Sequence, residues 1–334
     1  MKTKSVRYSR AAFIVFILLA LFISGCGGKT TVPAAPLTEV SVRLKWTHQV
    51  QFAGIYTADK DGYYGEENLK ITIDPVDFGQ MDTVKDVVDG KHIFGVASAD
   101  EIIGARSRGV PVKAIAVIFR ISPLLLMSID DVKINKPEDL LGKTVAVHAG
   151  QASTVFSAFV SKTGLDTSQF TRVDASSFDI LECLQTADVC TGYSTDAVIS
   201  AQMKGHETSS ILFGDYGVPF YADIIFTTDD YMAQNPDVVE RFLRATIRGW
   251  KTAIENPEKS VATALTFDPK LDKEFQTLSM KATIPLVDTG VQPIGVMEPD
   301  MWQQMYDILL EQKAISAFDV TTAYTSEFMD KISK

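Results

Sequence analysis

The chain is poor in cysteine, histidine and tryptophan, with three, four and three among 334 residues. So few cysteines exclude a small disulfide-scaffolded protein. The histidines, at positions 48, 92, 148 and 206, show no close ligand spacing, so the sequence offers no metal site. Basic residues are also short, 32 against 42 acidic ones, for a formal charge of −10. A general nucleic-acid binder is disfavoured, because phosphate neutralisation needs a basic surface. No apolar run reaches the roughly 20 residues that cross a bilayer comfortably. What is abundant is apolar surface: 46% of residues are hydrophobic, which excludes a disordered chain, and the length suggests about two domains.

The N-terminal residues read as an address. Lys2, Lys4, Arg7 and Arg10 form a positive start with no acid among them, followed by the apolar run 11–22 and then Ile23-Ser24-Gly25-Cys26. A charged start, a short apolar core and a small-residue exit describe a signal peptide over residues 1–25. Cys26, directly after the small residues, resembles a bacterial lipobox cysteine, whose thiol receives a diacylglyceryl group and becomes the mature N-terminus. Two acyl chains anchor stably where one holds only marginally. Without the first 25 residues the chain carries 28 basic against 42 acidic residues, a net charge of −14, so charge alone will not draw it to anionic lipid. Residues 26–38, small and twice interrupted by proline, form a coreless linker.

The body alternates strand and helix patterns. Residues 40–46 alternate apolar and polar and predict a strand ending at Trp46; a helix is expected over 52–61, strands at 69–75, 93–97 and 112–119, and helices at 82–89 and 99–108. The pattern restarts at Lys136. It gives a strand at 143–148, a helix through 160, a strand–helix–strand run to Tyr193, and a helix from near Asp196. An apolar strand at 222–228 and an amphipathic helix over 237–256 follow, then helices broken at Pro257, Pro269, Pro285 and Pro293. Alternation at this spacing means an α/β body with largely parallel sheets. The reading is lobe I from residues 39–123 plus 222–334 and lobe II from 124–221, hinged by strands near 118–128 and 220–228. Ligands bind such sheets outside the carboxyl ends of the strands, so two facing lobes share one cleft that closes on its ligand.

Several stretches then become specific. Leu44-Lys-Trp-Thr-His-Gln-Val-Gln-Phe-Ala-Gly-Ile-Tyr56, Asp61-Gly-Tyr-Tyr-Gly-Glu-Glu-Asn-Leu69, Phe94-Gly-Val-Ala-Ser-Ala-Asp100 and Asp215-Tyr-Gly-Val-Pro-Phe-Tyr221 resemble the thiamine-pyrimidine-type group of ABC-transporter substrate-binding proteins, related to aliphatic-sulfonate and nitrate binders. The resemblance implies a two-lobed periplasmic-binding-protein type II fold, delivery of a small molecule to a permease and its ATPase, and no chemistry. The same superfamily includes a fungal enzyme of thiamine-pyrimidine synthesis that uses pyridoxal phosphate and iron. Aligned by eye, its lysine position is Ala97 here and its histidine position Glu101, and the second lobe offers only Cys190-Thr-Gly-Tyr193. Without the lysine no Schiff base forms. The expected protein is therefore a cofactor-free, monomeric binder with no catalytic residue, its ligand a thiamine pyrimidine precursor or a related heterocycle such as riboflavin, and a small anion the runner-up.

The candidate ligand contacts follow from position. Trp46 offers an indole face for stacking, and His48 and Gln49 offer donor and acceptor edges. Ser98 and Asp100 stand at a strand exit, where either caps the next helix or binds; Ser98 is the preferred contact, and Asp100 suits an exocyclic amine. Gln151 and Ser153 open a helix, a weak anion signal. Tyr193 is placed as the wall opposite Trp46, beside Asp196, which is otherwise a helix cap. Tyr216 and Tyr221 flank the hinge return, whereas Tyr63 and Tyr64 are assigned to packing and Trp250 to the core. Arg241, Arg244 and Arg248 face solvent or a permease. Export permits a bridge between Cys183 and Cys190, but free buried thiols are the favoured reading.

Overall fold

A computed structural model describes residues 36–333. The signal peptide, Cys26 and the linker up to residue 35 lie outside the described residues. Ten strands follow in chain order: β1 (Thr38–Arg43), β2 (Leu69–Asp74), β3 (Phe94–Ala97), β4 (Val112–Val117), β5 (Leu124–Ile129), β6 (Thr144–Val147), β7 (Thr171–Asp174), β8 (Val189–Tyr193), β9 (Thr208–Leu212) and β10 (Ile224–Thr228). They form two five-stranded sheets, ordered β2-β1-β3-β10-β4 and β7-β6-β8-β5-β9. The two orders are the same topology repeated. In each sheet one strand opposes the rest: β10 pairs antiparallel with β3 and β4, and β5 with β8 and β9, while the other pairs are parallel. The opposing strand is in each case the one that has just crossed from the other sheet, which is why it arrives pointing the wrong way.

Three expectations need correction. The first strand stops at Arg43, so Trp46 sits in the loop beyond it rather than ending it. The segment near 124–128 is not a hinge strand but the buried β5 of the second sheet, and the crossings are the short stretches 118–123 and 213–223. Pro285 does not break its helix, which runs Lys273–Val287 with the proline inside. It lies two residues from the end, where the missing N–H costs a single intrahelical bond.

The first helix of the body, Ala53–Lys60, packs along the long amphipathic helix Pro236–Glu255. Their closeness is set by two glycines. A Cβ on Gly54 would stand 2.1 Å from Cγ of the buried Trp250, and one on Gly249 would stand 2.1 Å from the Gly54 carbonyl oxygen. Tyr63 and Tyr64 pack here as expected, their hydroxyls meeting Thr252 at 3.1 Å and Thr246 at 2.8 Å. Arg241, Arg244 and Arg248 are engaged with the turn at Glu66, Glu67 and Asn68, pinning it to the long helix. At the back of the molecule the helix Pro299–Glu311 packs against Ala99–Ser107 of one lobe and Gln151–Thr163 of the other.

Cys183 and Cys190 are joined in a disulfide, contrary to the favoured reading. Cys183 ends the short helix Ile180–Cys183 and Cys190 lies in β8, and the intervening turn brings their Cα atoms to 6.4 Å, within bridging reach. Among the described residues no helix is long and apolar enough to cross a membrane.

Gly249→Ala should cost about 1–3 kcal/mol by overpacking against the Gly54 carbonyl and the Ala58 Cβ and amide, none of which can swing aside, lowering the thermal midpoint by several degrees. Gly65→Ala, whose Cβ meets nothing within 4 Å, is the control and should leave the midpoint within a degree or two. Equal midpoints for the two variants would show that the helix pair yields freely.

Candidate functional site

The carboxyl ends of β1, β2 and β3 in one lobe and of β6, β7 and β8 in the other carry the residues that meet between the lobes. One part of the meeting place is aromatic. The Trp46 ring stands edge-on to Phe78 of its own lobe (centroids 5.6 Å, 83°) and to Phe178 of the other (5.0 Å, 73°). Phe178, in the loop after β7, is backed by His148, stacked at 4.9 Å and 9°. His148 is itself fixed: Nδ1 lies 2.8 Å from the Thr191 hydroxyl and Nε2 lies 2.8 Å from the Ser177 carbonyl. Phe78 and Phe178 are 59% and 56% exposed, a large apolar area to leave open unless it serves contact.

The rest is polar and centres on Lys45, one residue before Trp46. Its ammonium donates to the Ala222 carbonyl at 3.1 Å in the crossing segment and to the Tyr193 hydroxyl at 3.4 Å in the other lobe, and lies 3.5 Å from Asp223. Asp223 accepts twice from Gln51, at 2.9 and 3.1 Å, and Gln51 accepts from Gln49 at 2.7 Å. On the far side Tyr193 donates to Gln151 Oε1 at 2.7 Å. A single hydrogen-bonded chain therefore runs from the interior of lobe I through Lys45 into lobe II.

Charge in this cluster is unbalanced. Burial alone would lower the Lys45 pKa, but Tyr193, Asp223, Glu101 and Asp100 outweigh it and hold the ammonium above the ordinary lysine range. Burial pushes the Tyr193 phenol up to about 12 and raises Asp223 against the pull of Lys45. Asp100 is pushed up to about 6, first by burial and then by neighbouring Glu101. Three carboxylates thus face one cation. Asp196 is likewise raised by burial and by Asp179.

Of the residues singled out from the sequence, Trp46, Asp100, Gln151 and Tyr193 come together between the lobes. Gln49 joins them indirectly, buried and supporting Gln51. Asp196 follows β8 with no side-chain cap bond to its helix, Ala197–Met203, which leaves its carboxylate uncommitted. The others are engaged elsewhere. Ser98 is fully buried, and its hydroxyl and amide both donate to Glu101 Oε2 at 2.7 Å, so Ser98 caps the helix while Asp100 keeps one oxygen, Oδ1, without a partner, the reverse of the expected preference. His48 turns away to the Tyr56 hydroxyl at 2.9 Å and packs by Phe267, with burial lowering its pKa. Ser153 accepts from Arg172 at 2.6 Å on lobe II. Tyr216 packs against Phe159, its hydroxyl reaching the Asn135 carbonyl. Tyr221 is fully buried, its hydroxyl accepting from the Glu298 amide at 3.1 Å.

Lys45 and Phe178 were not singled out from the sequence. Lys45 reads there as the solvent face of an alternating strand, and Phe178 as one apolar residue in a polar loop; a lysine directly preceding a cleft tryptophan is the one hint. A separate concavity of 390 Å³, lined by Lys162, Asp307 and Glu311 among others, lacks any aromatic side chain and has acidic walls.

Ala97, expected from the resemblance to stand where the enzyme has its lysine, is buried, and Cys190 of the second lobe is held in the disulfide. Among the described residues no three His, Cys, Asp or Glu side chains gather in one place.

The raised Asp100 carries a stability cost whose sign is fixed. A carboxyl that is harder to ionise folded than unfolded stabilises the fold below about pH 4 and loses that contribution as pH rises through about 6. Asp100→Asn should therefore stabilise the ligand-free protein at pH 7.5 by about 1–3 kcal/mol, and the gain should vanish by pH 4. A gain that persists at low pH in thermal melts would assign it to packing.

A family profile described as NMT1/THI5 like matches residues 49–260. The chain is 23% identical over 337 residues to riboflavin-binding protein RibY of Chloroflexus aurantiacus, covering 94% of this chain and 96% of that protein. It is 25% identical over 319 residues to a formylaminopyrimidine-binding protein of Halalkalibacterium halodurans, covering 91% and 96%. It is also 23% identical over 300 residues to a 4-amino-5-hydroxymethyl-2-methylpyrimidine phosphate synthase of Legionella pneumophila, covering 87% and 92%. Among solved structures, the sulfonate-binding protein SsuA of Methylobacillus flagellatus superposes with a TM-score of 0.68 at 16% identity, over 89% of this chain and 94% of that one. The fold is the two-lobed periplasmic-binding-protein type, and the chain belongs to the NMT1/THI5-like family.

Proposed function

We propose that this protein is the extracytoplasmic solute-binding component of an ABC importer, tethered through lipid on Cys26, that captures a small planar nitrogen heterocycle and presents it to a permease. The observation that carries this reading is the pairing, between two hinged lobes, of an aromatic wall with a hydrogen-bonding floor. Trp46, Phe78 and Phe178 suit a flat apolar face, and Asp100, Gln151, Tyr193 and Asp196 suit its polar edge. The relatives named for riboflavin and formylaminopyrimidine binding support the same ligand class. Binding does no chemistry: closure is selected because ligand gains contacts with both lobes at once.

A sulfonate or similar anion is the second reading, favoured by the SsuA likeness and by Arg172 beside Ser153 at the start of a helix. The charge at the centre of the cleft weighs against it, since an anion would meet three carboxylates for one ammonium. A synthase of the pyrimidine type is a third, disfavoured by Ala97 in place of a lysine.

A thermal-shift panel of the mature protein with riboflavin, 4-amino-5-hydroxymethyl-2-methylpyrimidine and an alkanesulfonate decides among these. A true ligand at 100 times its dissociation constant should stabilise by about 2.7 kcal/mol, and the expected responder is a heterocycle; a response to the sulfonate alone would reverse the order. Trp46→Ala should weaken capture about tenfold, from lost stacking and burial, while leaving the melt of the free protein within a few degrees. Unchanged affinity would remove Trp46 from the site. Incorporation of labelled lipid at Cys26, abolished by Cys26→Ser, checks the anchor.

A further inference from the structure

The segment between β7 and β8, residues 175–188, brings Phe178 to Trp46 yet has little of its own to hold it. Only Ile180 and Cys183 of this stretch are buried. Its helix, Ile180–Cys183, is a single turn, too short to be stable through its own hydrogen bonds. Asp179 caps that turn by accepting from the Leu181 and Glu182 amides, and the Ser177 hydroxyl donates to Glu182 at 2.8 Å, but these bonds stay within the segment. Beyond the His148 bond to the Ser177 carbonyl, its buried anchorage to the sheet comes from Ile180 and from the bridge between Cys183 and Cys190.

The anchorage is local. Cys190 lies on β8 between β5 and β6, one residue before the Thr191 that holds His148. The cysteines and Ile180 share a small apolar cluster with Met127, Ala146, Ala197 and Ala201 on one face of the sheet. The other face, with Leu124, Leu126, Val145 and Val147, packs into the large core around Phe156 and Phe159. Opening the bridge therefore loosens the segment while the large core keeps the lobe folded.

We infer that this disulfide is a redox latch on the aromatic wall. Bridged, it holds the Phe178 loop against His148 and Trp46, and the cleft captures ligand. As two thiols, it lets residues 175–184 come away from the sheet, and capture weakens. The bridge forms by exchange with an external disulfide: one thiolate attacks it, the second displaces the mixed disulfide, and two protons and two electrons leave on the two thiols the oxidant becomes. Cytosolic thiol pools keep such a pair reduced and oxidising compartments bridge it. A chain carrying the export signal read in residues 1–25 thus gains full capture only after export. The inference rests on the placement of Phe178 in the ligand cleft and adds a dependence on redox state.

Hydrogen–deuterium exchange on the mature protein, bridged and reduced by a phosphine, tests the latch without ligand. The Cys183→Ala/Cys190→Ala double variant supplies the unbridged form whatever the access of the reductant. Amides of residues 175–184 should exchange about tenfold faster in both unbridged forms, while the helices Ala53–Lys60 and Gln151–Thr163 keep their protection. Unchanged exchange in 175–184, or acceleration spread over both lobes, overturns the latch. Titration calorimetry with riboflavin and with 4-amino-5-hydroxymethyl-2-methylpyrimidine reads capture: the probe that binds the bridged form should bind the unbridged forms about fivefold more weakly. In Phe178→Ala, which has no ring left to hold, bridged and reduced protein should bind alike. Equal affinities in wild type overturn the coupling to capture, and a redox difference that persists in Phe178→Ala overturns the route through the aromatic wall. Failure of the bridged form to bind either probe sinks the heterocycle reading and the capture clause with it, while exchange alone decides the latch.

Discussion

A buried ammonium must find acceptors within reach, and Lys45 finds three in two parts of the chain: the Ala222 carbonyl and Asp223 carboxylate in the crossing segment, and the Tyr193 hydroxyl in the second lobe. Its side chain is only 15% exposed and that of Asp223 only 2%, so the charge pair is worth keeping only because Gln51 satisfies the remaining lone pairs of Asp223. The consequence reaches beyond stability. Because an ammonium cannot accept, every hydroxyl and carboxamide further along the chain of bonds has its direction dictated, out to Gln151. The polarity of the cleft is thus decided at the hinge.

The aromatic half is arranged by a different constraint. Phe178 sits in a short polar loop with no helix or strand to hold it, and an exposed ring there would ordinarily sample several rotamers. His148 prevents this by lying flat against it, and both imidazole nitrogens are tied to lobe II by Thr191 and Ser177. The disulfide between Cys183 and Cys190 closes the helix Ile180–Cys183, capped by Asp179, onto β8, the same strand that carries Thr191 and Tyr193. The loop that bears Phe178 is therefore tied to the strand that supplies the polar wall twice, through Ser177, His148 and Thr191 and through the disulfide-closed helix at its far end. Stacking geometry and hydrogen-bond geometry cannot drift apart independently, which is what recognition of a rigid ring requires.

Much of this architecture is legible in the sequence, because strands buried on both faces and helices closed by glycine leave strong periodic signals. The strand ends β1, β3, β6 and β8 point to Trp46, Asp100, Gln151 and Tyr193 by position alone. What periodicity cannot give is sheet membership: residues 124–127 are all apolar, and nothing in such a run says whether it spans a hinge or enters a sheet. Nor can it give the direction of a side chain in a loop. His48 neighbours Trp46 in sequence but turns to Tyr56, and Ser98 and Asp100 exchange expected roles because Glu101, one turn into the helix, captures the serine. Lys45 escapes notice for the opposite reason. In an alternating strand its place is the solvent side, and only the second lobe, invisible in local pattern, makes that side an interior.

The surplus of carboxylate around Lys45 bears on how the lobes move. Asp100 is pushed up to about 6 by burial and by Glu101, a shift that the nearby Lys45 offsets only in part. Its charge is tolerable while water reaches it and becomes costly as the lobes shut and water leaves. A ligand N–H beside Asp100 would relieve that cost, so closure around such a ligand is favoured over closure without it. A ligand shifts a two-state equilibrium only by its differential affinity for the two states. The cross-lobe contacts of Lys45 with Tyr193 and of Trp46 with Phe178 hold the two lobes in register.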